Sequence, residues 1–303
     1  IIRTVTGRMR LGLADMTILD GLAVAFRGSK KERPVLERAY NISSDLGNLA
    51  KILSDKGLES IVNYKVQVGI PVRPMLAERL PSAKEILEKM DGKCSAEYKY
   101  DGERLQIHKK KEEITIFSRR LENITNHYPD ACELVKSHVK PLDAIIECEC
   151  VAIDPDTDEM MPFQELMHRR RKHGINEAVE SYPISLFMFD LLYADGVDYT
   201  LKSYIRRRKE LVRIIKKGEH IDTARSIIPN NLEELERFFD DAIESRCEGL
   251  MVKSIRQDAI YKAGARGWLW IKYKMDYQAL LSDSVDLVVV GAFHGRGRRA
   301  GTY

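Results

Sequence analysis

Apolar residues recur at helical spacing through the N-terminal part of the chain. The stretches RLGLADMTILDGLAVAF and SSDLGNLAKILSDKG both show this period, and the second has a serine cap and a glycine stop. We therefore predict helices within residues 8–63. The stretch QVGIPVRPMLAERLP, at 67–81, contains three prolines, fits a helix poorly and indicates a boundary between two parts of the chain.

Beyond this boundary, strand-like and helix-like patterns alternate. The predicted strands are 94–100, 104–109, 113–118, 144–153, 184–193, 249–254, 268–274 and 285–293. The predicted helices are 82–90, 129–138, 163–172, 202–217 and 231–245. Because several strands follow one another closely, as in hairpins, we predict an α+β fold with antiparallel sheets flanked by helices. The last run, SVDLVVVGAFHGRGRRAGTY, predicts one strand and a turn that open a further β domain.

Composition narrows the class of protein without identifying it. The chain has 303 residues, 44% hydrophobic and 31% charged, which is a globular composition long enough for two domains. No apolar run approaches the ~18–20 residues that cross a bilayer, and no signal peptide precedes the first helices, so an intracellular protein is expected. The net charge of +3 does not by itself indicate a nucleic-acid partner. The five cysteines include no CxxC, so buried free thiols are expected.

One strand-like segment, AEYKYDGERLQIH, carries an unusual set of polar residues: Lys99, Asp101, Gly102 and Arg104. A lysine attacks an electrophile only when neutral, and at its ordinary pKa roughly one in two to three thousand is neutral at pH 7. A nucleophilic lysine therefore needs partial burial or nearby cations. A strand gives Lys99 a rigid mount, and Arg104 at the start of the return strand could bring a guanidinium and a phosphate close to it.

Further strand positions offer groups for the same site. Glu147 and Glu149 are two apart in IIECECVAID and share a face, where they could hold Mg²⁺ or bind ribose hydroxyls. In GWLWIKYKMDY, Trp270, Lys272 and Lys274 share one face, and the two lysines suit phosphate charge.

Two more segments complete the candidates. Glu248 and Lys253 are five apart in CEGLMVKS, so Glu248 must precede the strand, with Gly249 as a hinge, if both serve one site. Phe187 and Phe189 share a face, and either ring could stack on a base. Each pattern alone is ordinary, because charged pairs on strands are usually exposed edges and phenylalanines usually core. Only their ordered combination favours a function.

That ordered combination resembles a known family. EYKYDGER, FSRRLENIT, IIECECVAI, FMFDLLY, CEGLMVK and WLWIKYK are similar to successive motifs of the covalent nucleotidyltransferases, above all the ATP-dependent DNA ligases of the archaeal and eukaryotic replicative type. The resemblance implies three regions. These are the C-terminal part of a helical DNA-binding domain at 1–70, an adenylation (nucleotidyltransferase) domain at 71–284, and the start of an OB-fold domain at 285–303.

The resemblance also implies residue roles. Lys99 would take AMP as a phosphoramidate on Nζ, Glu97 would read the adenine amino group, and Phe189 would stack on adenine. Arg104 and Arg119 would hold ribose and phosphate, Glu149 would contact ribose or a metal-bound water, and Glu248 would contact a catalytic Mg²⁺. The residues implied to neutralise the phosphates are Arg266, Lys272, Lys253 and Lys274. The sequence has Glu-Cys-Glu where the family often has Asp-Gly-Glu, which leaves the role of Glu147 open.

The implied reaction has three steps, with ATP and Mg²⁺ as cofactors. Lys99 attacks the α-phosphate of ATP, AMP passes to the 5′-phosphate of a nick in double-stranded DNA, and the 3′-hydroxyl displaces AMP. The resemblance further suggests a sliding clamp as partner of the full-length protein, a monomer, and a cytoplasmic or nucleoid location if the source is archaeal. The chain starts without Met and stops just after a strand-like run, so we expect both ends to be cut. The family's last motif lies beyond residue 303, and we expect slow adenylation and poor sealing.

Basic runs supply the candidate DNA contacts. Arg169, Arg170, Arg171 and Lys172 form the strongest run, and a glycine-rich turn holds Arg296, Arg298 and Arg299. Such runs are usually solvated faces, but beside a ligase core we expect phosphate contacts that salt weakens. The segment YIRRRKELVRIIKK is interpreted as an amphipathic surface helix with little functional weight.

Other functions stay open at the level of sequence. An mRNA-capping guanylyltransferase or an RNA ligase shares the lysine chemistry, although the N-terminal helices and Glu97 disfavour both. A bacterial-type NAD-dependent ligase is disfavoured because no four-cysteine zinc site is present. A non-catalytic nick-binding module is the alternative from another class, and the set of Lys99, Glu149, Glu248 and Lys272 argues against it.

Overall fold

The N-terminal part of the protein is helical, as predicted. The computed structural model describes residues 14–169, residue 179 and residues 181–275. The helices in this part are α1 (Asp15–Arg27), α2 (Arg33–Ser43), α3 (Leu46–Lys56) and α4 (Leu58–Val62). Their apolar faces enclose a shared core that includes Leu19, Leu36, Leu49, Leu53 and Ile61.

The ends of α3 follow the capping rules, with one difference from the sequence prediction. The cap residue is Asp45, whose carboxylate accepts a hydrogen bond from Asn48 N at 2.9 Å, and not a serine. A carboxylate at this position also complements the positive end of the helix dipole. Gly57, with φ of +74°, ends the helix as predicted.

Strands and further helices make up the rest of the described chain. The strands are β1 (Leu76–Arg79), β2 (Cys94–Lys99), β3 (Glu103–Lys110), β4 (Glu113–Ser118), β5 (Asp143–Ala152), β6 (Ile184–Ala194), β7 (Val197–Asp198), β8 (Ile221–Thr223), β9 (Ser226–Ile227), β10 (Gly249–Ser254) and β11 (Arg266–Lys274). The helices are α5 (Ala83–Lys89), α6 (Pro129–His138), α7 (Phe163–Leu166), α8 (Tyr204–Ile214) and α9 (Leu232–Glu244). The predicted strand 285–293 lies outside the described residues, as does the end of the predicted helix 163–172.

The strands form two sheets. The first has the order β1-β11-β10-β2-β9, and the second has the order β4-β3-β5-β6-β7, with β8 beside β6. Pairing is antiparallel except between β1 and β11 and between β6 and β8. Helices α5 and α9 pack on the first sheet, and α6 and α8 pack on the second. The α+β class with antiparallel sheets is therefore confirmed.

The segment that carries Lys99 is not a hairpin, which corrects the sequence prediction. Strand β2 ends at Lys99 in the first sheet, whereas β3 belongs to the second sheet and does not pair with β2. The residues between them therefore cross from one sheet to the other. Gly102 sits at this crossing, where an added Cβ would lie 2.2 Å from the carbonyl oxygen of Cys150. Only glycine allows the backbone to pass so close to β5.

One face of β3 holds the proline-rich segment that the sequence marked as a boundary. Arg104 Nη1 donates to Met75 O at 2.9 Å, and the Gln106 side chain bonds both the N–H and the carbonyl of Val72. His108 Nδ1 accepts from Gly69 N, and burial lowers the pKa of His108 to about 3. Residues two apart on a strand point the same way, so Arg104, Gln106 and His108 bond to one segment. These bonds attach the proline-rich segment, which follows the N-terminal helices, to a strand of the second sheet.

In the described part of the chain, no helix combines the length and the apolar character that crossing a membrane would require.

Candidate active site

Both sheets contribute side chains to one cleft, with a cavity of about 270 Å³. The side chains predicted to bind nucleotide or metal all line it: Glu97, Lys99, Arg104, Arg119, Glu149, Phe189, Glu248, Lys253, Arg266, Lys272 and Lys274. They come from strands that are distant in sequence but adjacent across the two sheets. The cleft is lined by cationic, acidic and aromatic groups together, as a site for a charged ligand with a planar ring requires.

Lys99 and Glu248 form the centre of one end of the cleft. Glu248 lies just before β10, and its backbone N–H donates to Lys99 O at 2.8 Å. Lys99 Nζ lies 2.7 Å from Glu248 Oε2, and Lys274 Nζ contacts the same oxygen. Burial raises the pKa of Glu248, but the ammonium groups of Lys99 and Lys274 outweigh it and leave the pKa below its ordinary value. Glu248 is therefore a carboxylate held between two cations.

The position of Glu248 follows the hinge that the sequence predicted. Gly249 has φ of +136°, a backbone conformation that residues other than glycine rarely adopt. A Cβ there would also meet Tyr273 O at 2.2 Å. Glycine thus lets the chain turn so that Glu248 faces the cleft before β10 begins.

The surroundings of Lys99 differ from the expected cluster of cations. Arg104 lines the cleft, but Arg104 Nη2 lies 2.8 Å from Glu147 Oε2 and also approaches Tyr261 Oη. The Glu147 side chain is only 1% exposed, and Tyr261 Oη donates to it at 3.0 Å. The role of Glu147, left open by the sequence, is thus to hold Arg104. Lys99 Nζ is instead paired with the carboxylate of Glu248.

Glu149 lies opposite Arg104 in the register between β5 and β3. Burial raises the pKa of the Glu149 carboxyl to about 7, while Lys99 and Arg104 oppose the rise. Unlike Glu147, Glu149 lines the cleft.

Within the described residues, no three His, Cys, Asp or Glu side chains gather as a metal group. Glu149 and Glu248 nevertheless supply the oxygen donors that Mg²⁺ prefers, and magnesium commonly uses one or two carboxylates with substrate oxygens and water.

The opposite end of the cleft is aromatic and closed. Phe189 and Trp270 meet edge to face with ring centroids 6.2 Å apart, and Lys253 Nζ lies within 5.0 Å of both ring centroids. Phe187, the other candidate ring, instead stacks on Tyr100 and does not line this cleft.

Lys253 lies at the aromatic end of the cleft and is paired with Glu97. Its Nζ lies 2.5 Å from Glu97 Oε2 and donates to Phe189 O at 3.0 Å, and its side chain is 1% exposed. Burial lowers the pKa of Lys253, although the Glu97 carboxylate opposes this shift. These contacts tie Lys253 to Glu97 and to Phe189, and its role toward a phosphate stays a prediction.

Cationic side chains border the open part of the cleft. Arg119 follows β4 and is exposed, and Arg266 donates to Ala77 O at 3.2 Å. Lys272 and Trp270 point to the same side of β11 as Lys274, while Ile271 and Tyr273 pack into the core. The face predicted for this strand from its alternation is the face that lines the cleft.

Arg169 does not serve the predicted DNA contact. Its side chain is fully buried, with Nη2 2.7 Å from Asp130 Oδ1 and the guanidinium 5.2 Å from the centre of the Tyr128 ring. The adjacent residues of the basic run, Arg170, Arg171 and Lys172, lie outside the described residues, as do Arg296, Arg298 and Arg299. A single arginine of a basic run can be structural when a carboxylate partner lies within reach, and the sequence pattern does not reveal that partner.

Sequence reasoning missed two groups that the structure brings to the cleft. One is the stretch Met75, Leu76 and Ala77, which lines it at the start of β1. The other is the buried side of α8, whose Tyr204 and Arg208 contact Glu97. The sequence signal was their spacing, because residues four apart share a helix face. Only packing shows that this face points inward: Tyr204 is 1% exposed and the Arg208 side chain 14%.

Comparisons with known proteins identify the family of the chain. A family model described as ATP dependent DNA ligase domain matches residues 74–274. The chain is 54% identical to a DNA ligase of Acidianus ambivalens and 56% identical to a DNA ligase of Staphylothermus marinus, each over the full 303 residues. It covers 50% and 51% of these proteins, so the chain spans about half the length of the curated relatives it matches.

Solved structures share the fold. A mycobacterial DNA ligase D complexed with ATP and MES matches with a TM-score of 0.50 and 22% identity, over 67% of this chain and 60% of that one. The ligase domain of M. tuberculosis LigD matches with a TM-score of 0.50 and 23% identity, over 67% and 59%. Fold and cleft thus define a nucleotidyltransferase domain. The family match and the archaeal relatives then place the chain in the ATP-dependent DNA ligase family.

Proposed function

We propose that this chain is the nucleotidyltransferase core of an ATP-dependent DNA ligase and that Lys99 is its nucleophile. The observation that carries the proposal is the position of Lys99 Nζ in the cleft, 2.7 Å from Glu248 and between the aromatic end and the cationic border. An adenine ring fits the end with Phe189 and Trp270, and the phosphates then point toward Arg119, Arg266, Lys272 and Lys274. The α-phosphate is thereby brought to Lys99.

The first step joins Lys99 to AMP. The lone pair of Nζ attacks the α-phosphorus, a P–N bond forms, the bond to the bridging oxygen breaks, and pyrophosphate leaves. The amine loses protons to solvent in the course of this exchange. Because Lys99 Nζ is paired with the Glu248 carboxylate, that ion pair must open before attack. Phosphates that bind Lys274 would compete for one of the two cations that hold Glu248 in place.

Magnesium fits the same end of the cleft. Glu149 and Glu248 would hold the ion, which would supply positive charge against the phosphate oxygens as negative charge shifts toward pyrophosphate. The protein's own contribution is to align Lys99 with the phosphorus and to exclude competing water, since positioning accounts for much of the catalysis in phosphoryl transfer.

The later steps extend the proposal to DNA. AMP passes from Lys99 to the 5′-phosphate of a nick, and the 3′-hydroxyl then displaces AMP with formation of the phosphodiester bond. We propose nicked double-stranded DNA as substrate because relatives that share 54–56% of their residues with the chain are named DNA ligases. A sliding clamp as partner and a monomeric state stay predictions.

The covalent intermediate is the direct test. The wild-type chain is incubated with Mg²⁺ and ATP labelled at the α-phosphate, and the adduct is followed by gel and by intact mass. We expect one adenylate per chain, stable to alkali and labile to acid, as a phosphoramidate is. Lys99→Ala should abolish it, whereas Lys110→Ala, which removes an exposed lysine outside the cleft, should retain it. An adduct that survives Lys99→Ala would refute the assignment.

A further inference from the structure

Glu97 is one of the two most buried ionisable groups of the cleft, with Lys253, and three side chains contact its carboxylate. Tyr204 Oη donates to Oε1 at 2.5 Å, Lys253 Nζ lies 2.5 Å from Oε2, and Arg208 Nη1 lies 3.7 Å from Oε1. The Glu97 side chain is 1% exposed. A carboxylate held by three donors cannot rotate freely, so the direction of its remaining lone pairs is fixed.

Two of these three partners come from one helix. Tyr204 and Arg208 are four residues apart on α8 and therefore share a face. Burial, with the Glu97 carboxylate beside it, raises the pKa of Tyr204 well above its usual range, so its hydroxyl remains a donor. The Tyr204 oxygen also lies 3.4 Å from Ser95 Oγ, so it contacts a second residue of β2.

Arg208 joins α8 to the chain around Glu97. Its guanidinium donates to Ala224 O, to Met188 O at 3.4 Å and to Ser226 Oγ at 3.2 Å. Ser226 is the residue of β9 that pairs with Glu97 in the first sheet, and Ala224 lines the cleft. Arg208 thus fixes both the strand that carries Glu97 and the strand beside it.

We propose that Tyr204 and Arg208 of α8 are positioning residues that set the choice of nucleobase through Glu97. This inference rests on the proposed function, in which the base lies beside Phe189. A carboxylate can only accept hydrogen bonds, so a fixed Glu97 favours a purine with an amino group at C6 and opposes one with a carbonyl oxygen there. Sites that read a polar group discriminate strongly because a mismatched partner leaves buried groups unpaired.

A role in base selection is separable from a role in folding. If α8 merely supported the fold, loss of a contact would weaken binding of every purine nucleotide in the same proportion. If α8 orients Glu97, the loss would fall on nucleotides with the 6-amino group, and the ratio between ATP and ITP would change. ITP is the suitable comparison because its base carries a carbonyl oxygen at C6 where adenine carries the amino group.

The experiment measures equilibrium binding of ATP and ITP, and single-turnover adduct formation with each, for wild type, Tyr204→Phe, Arg208→Met and Arg208→Lys. Arg213→Met is the matched control, since Arg213 lies on the same helix but is 68% exposed and pairs with Glu210. We expect wild type to prefer ATP and Tyr204→Phe to lower that preference about 10-fold, the size of effect when a buried donor to a charged group is lost. Arg208→Met should act likewise, with partial rescue in Arg208→Lys and no change in the control.

Two results would overturn the inference. One is an equal loss for ATP and ITP in Tyr204→Phe and Arg208→Met, with thermal melting unchanged. The other is a wild type that binds both nucleotides equally. Binding is measured also in the Lys99→Ala background, so failure of covalent transfer would refute the proposed nucleophile while the binding ratio still decides the role of α8.

Discussion

The two ends of the cleft use the same components in different surroundings. At one end, Glu248 lies between Lys99 and Lys274, whose side chains are 21% and 22% exposed. At the other end, Glu97 lies between Lys253 and Arg208, and the Glu97 and Lys253 side chains are both 1% exposed. Partly exposed ion pairs contribute little to stability and exchange partners easily, whereas a buried pair is costly to break.

This difference matches what each end has to do in the proposed reaction. Lys99 must leave its ion pair to attack, so a partner that solvent and phosphate can replace is required. The base-binding end must keep one geometry for every turnover, and burial keeps it. Burial, more than the identity of the residues, distinguishes a reactive ion pair from a structural one.

The largest effect is expected from removing one partner at the buried end. Lys253→Met leaves the Glu97 carboxylate without its closest cation, and we expect a loss of about 3 kcal/mol in the free energy of unfolding. Chemical denaturation followed by circular dichroism measures this loss. A change below about 1 kcal/mol would show that the buried end is not the rigid one.

Glu248→Gln should act on the reaction. A neutral amide cannot pair with Lys99 and Lys274 or hold a metal ion, so we expect adduct formation to slow about 100-fold while the unfolding free energy changes little. Single-turnover assays with labelled ATP measure the rate. Glu244→Gln, an exposed position on α9, is the control, and equal rates in the two variants would contradict the role of Glu248.

The stability of the protein should depend on pH through Glu149, because burial raises the pKa of its carboxyl to about 7. A folded pKa above the unfolded value of about 4.5 means that the folded state binds the proton more tightly between these two values. As pH falls from 7 to 4.5, wild type should therefore gain stability relative to Glu149→Gln, by at most about 1.4 kcal/mol per pH unit. Denaturant titrations across this range test it, and parallel curves for the two proteins would contradict it.

The smallest effect is expected for Lys274→Met. Its side chain is 22% exposed and Glu248 retains Lys99, so we expect the unfolding free energy to fall by less than about 1 kcal/mol. Nucleotide affinity should nevertheless weaken, because a phosphate contact is lost in the proposed site. The unfolding free energies of Lys274→Met and Lys253→Met can be compared directly, since each variant removes one lysine from one carboxylate.

Local patterns were sufficient for several parts of the site. Alternation along β11 predicted that Trp270, Lys272 and Lys274 share a face, and the glycine at Gly249 predicted that Glu248 precedes the strand. These features depend on neighbours in sequence and on the fixed period of a strand. The helix at 129–138 was also predicted with the bounds that the structure has.

Long-range pairing decided the rest. Arg104 meets Glu147 and Lys253 meets Glu97 only because strands that are distant in sequence become neighbours. The same holds for Arg169. Its place in a run of basic residues predicted an exposed side chain, whereas the structure has it buried and paired with Asp130. Nothing in the local pattern of a charged residue states which opposite charge will lie within hydrogen-bonding distance.

By itself, the sequence determined the class of fold, most of the helices and longer strands, and the family, because periodicity and motifs are properties of consecutive residues. Only the tertiary structure decided that β2 and β3 belong to different sheets and that α8 faces Glu97. It also decided which ion pairs are buried and which are partly exposed. Burial depends on how all the elements pack together, and the strength of each charge interaction in this cleft depends on burial.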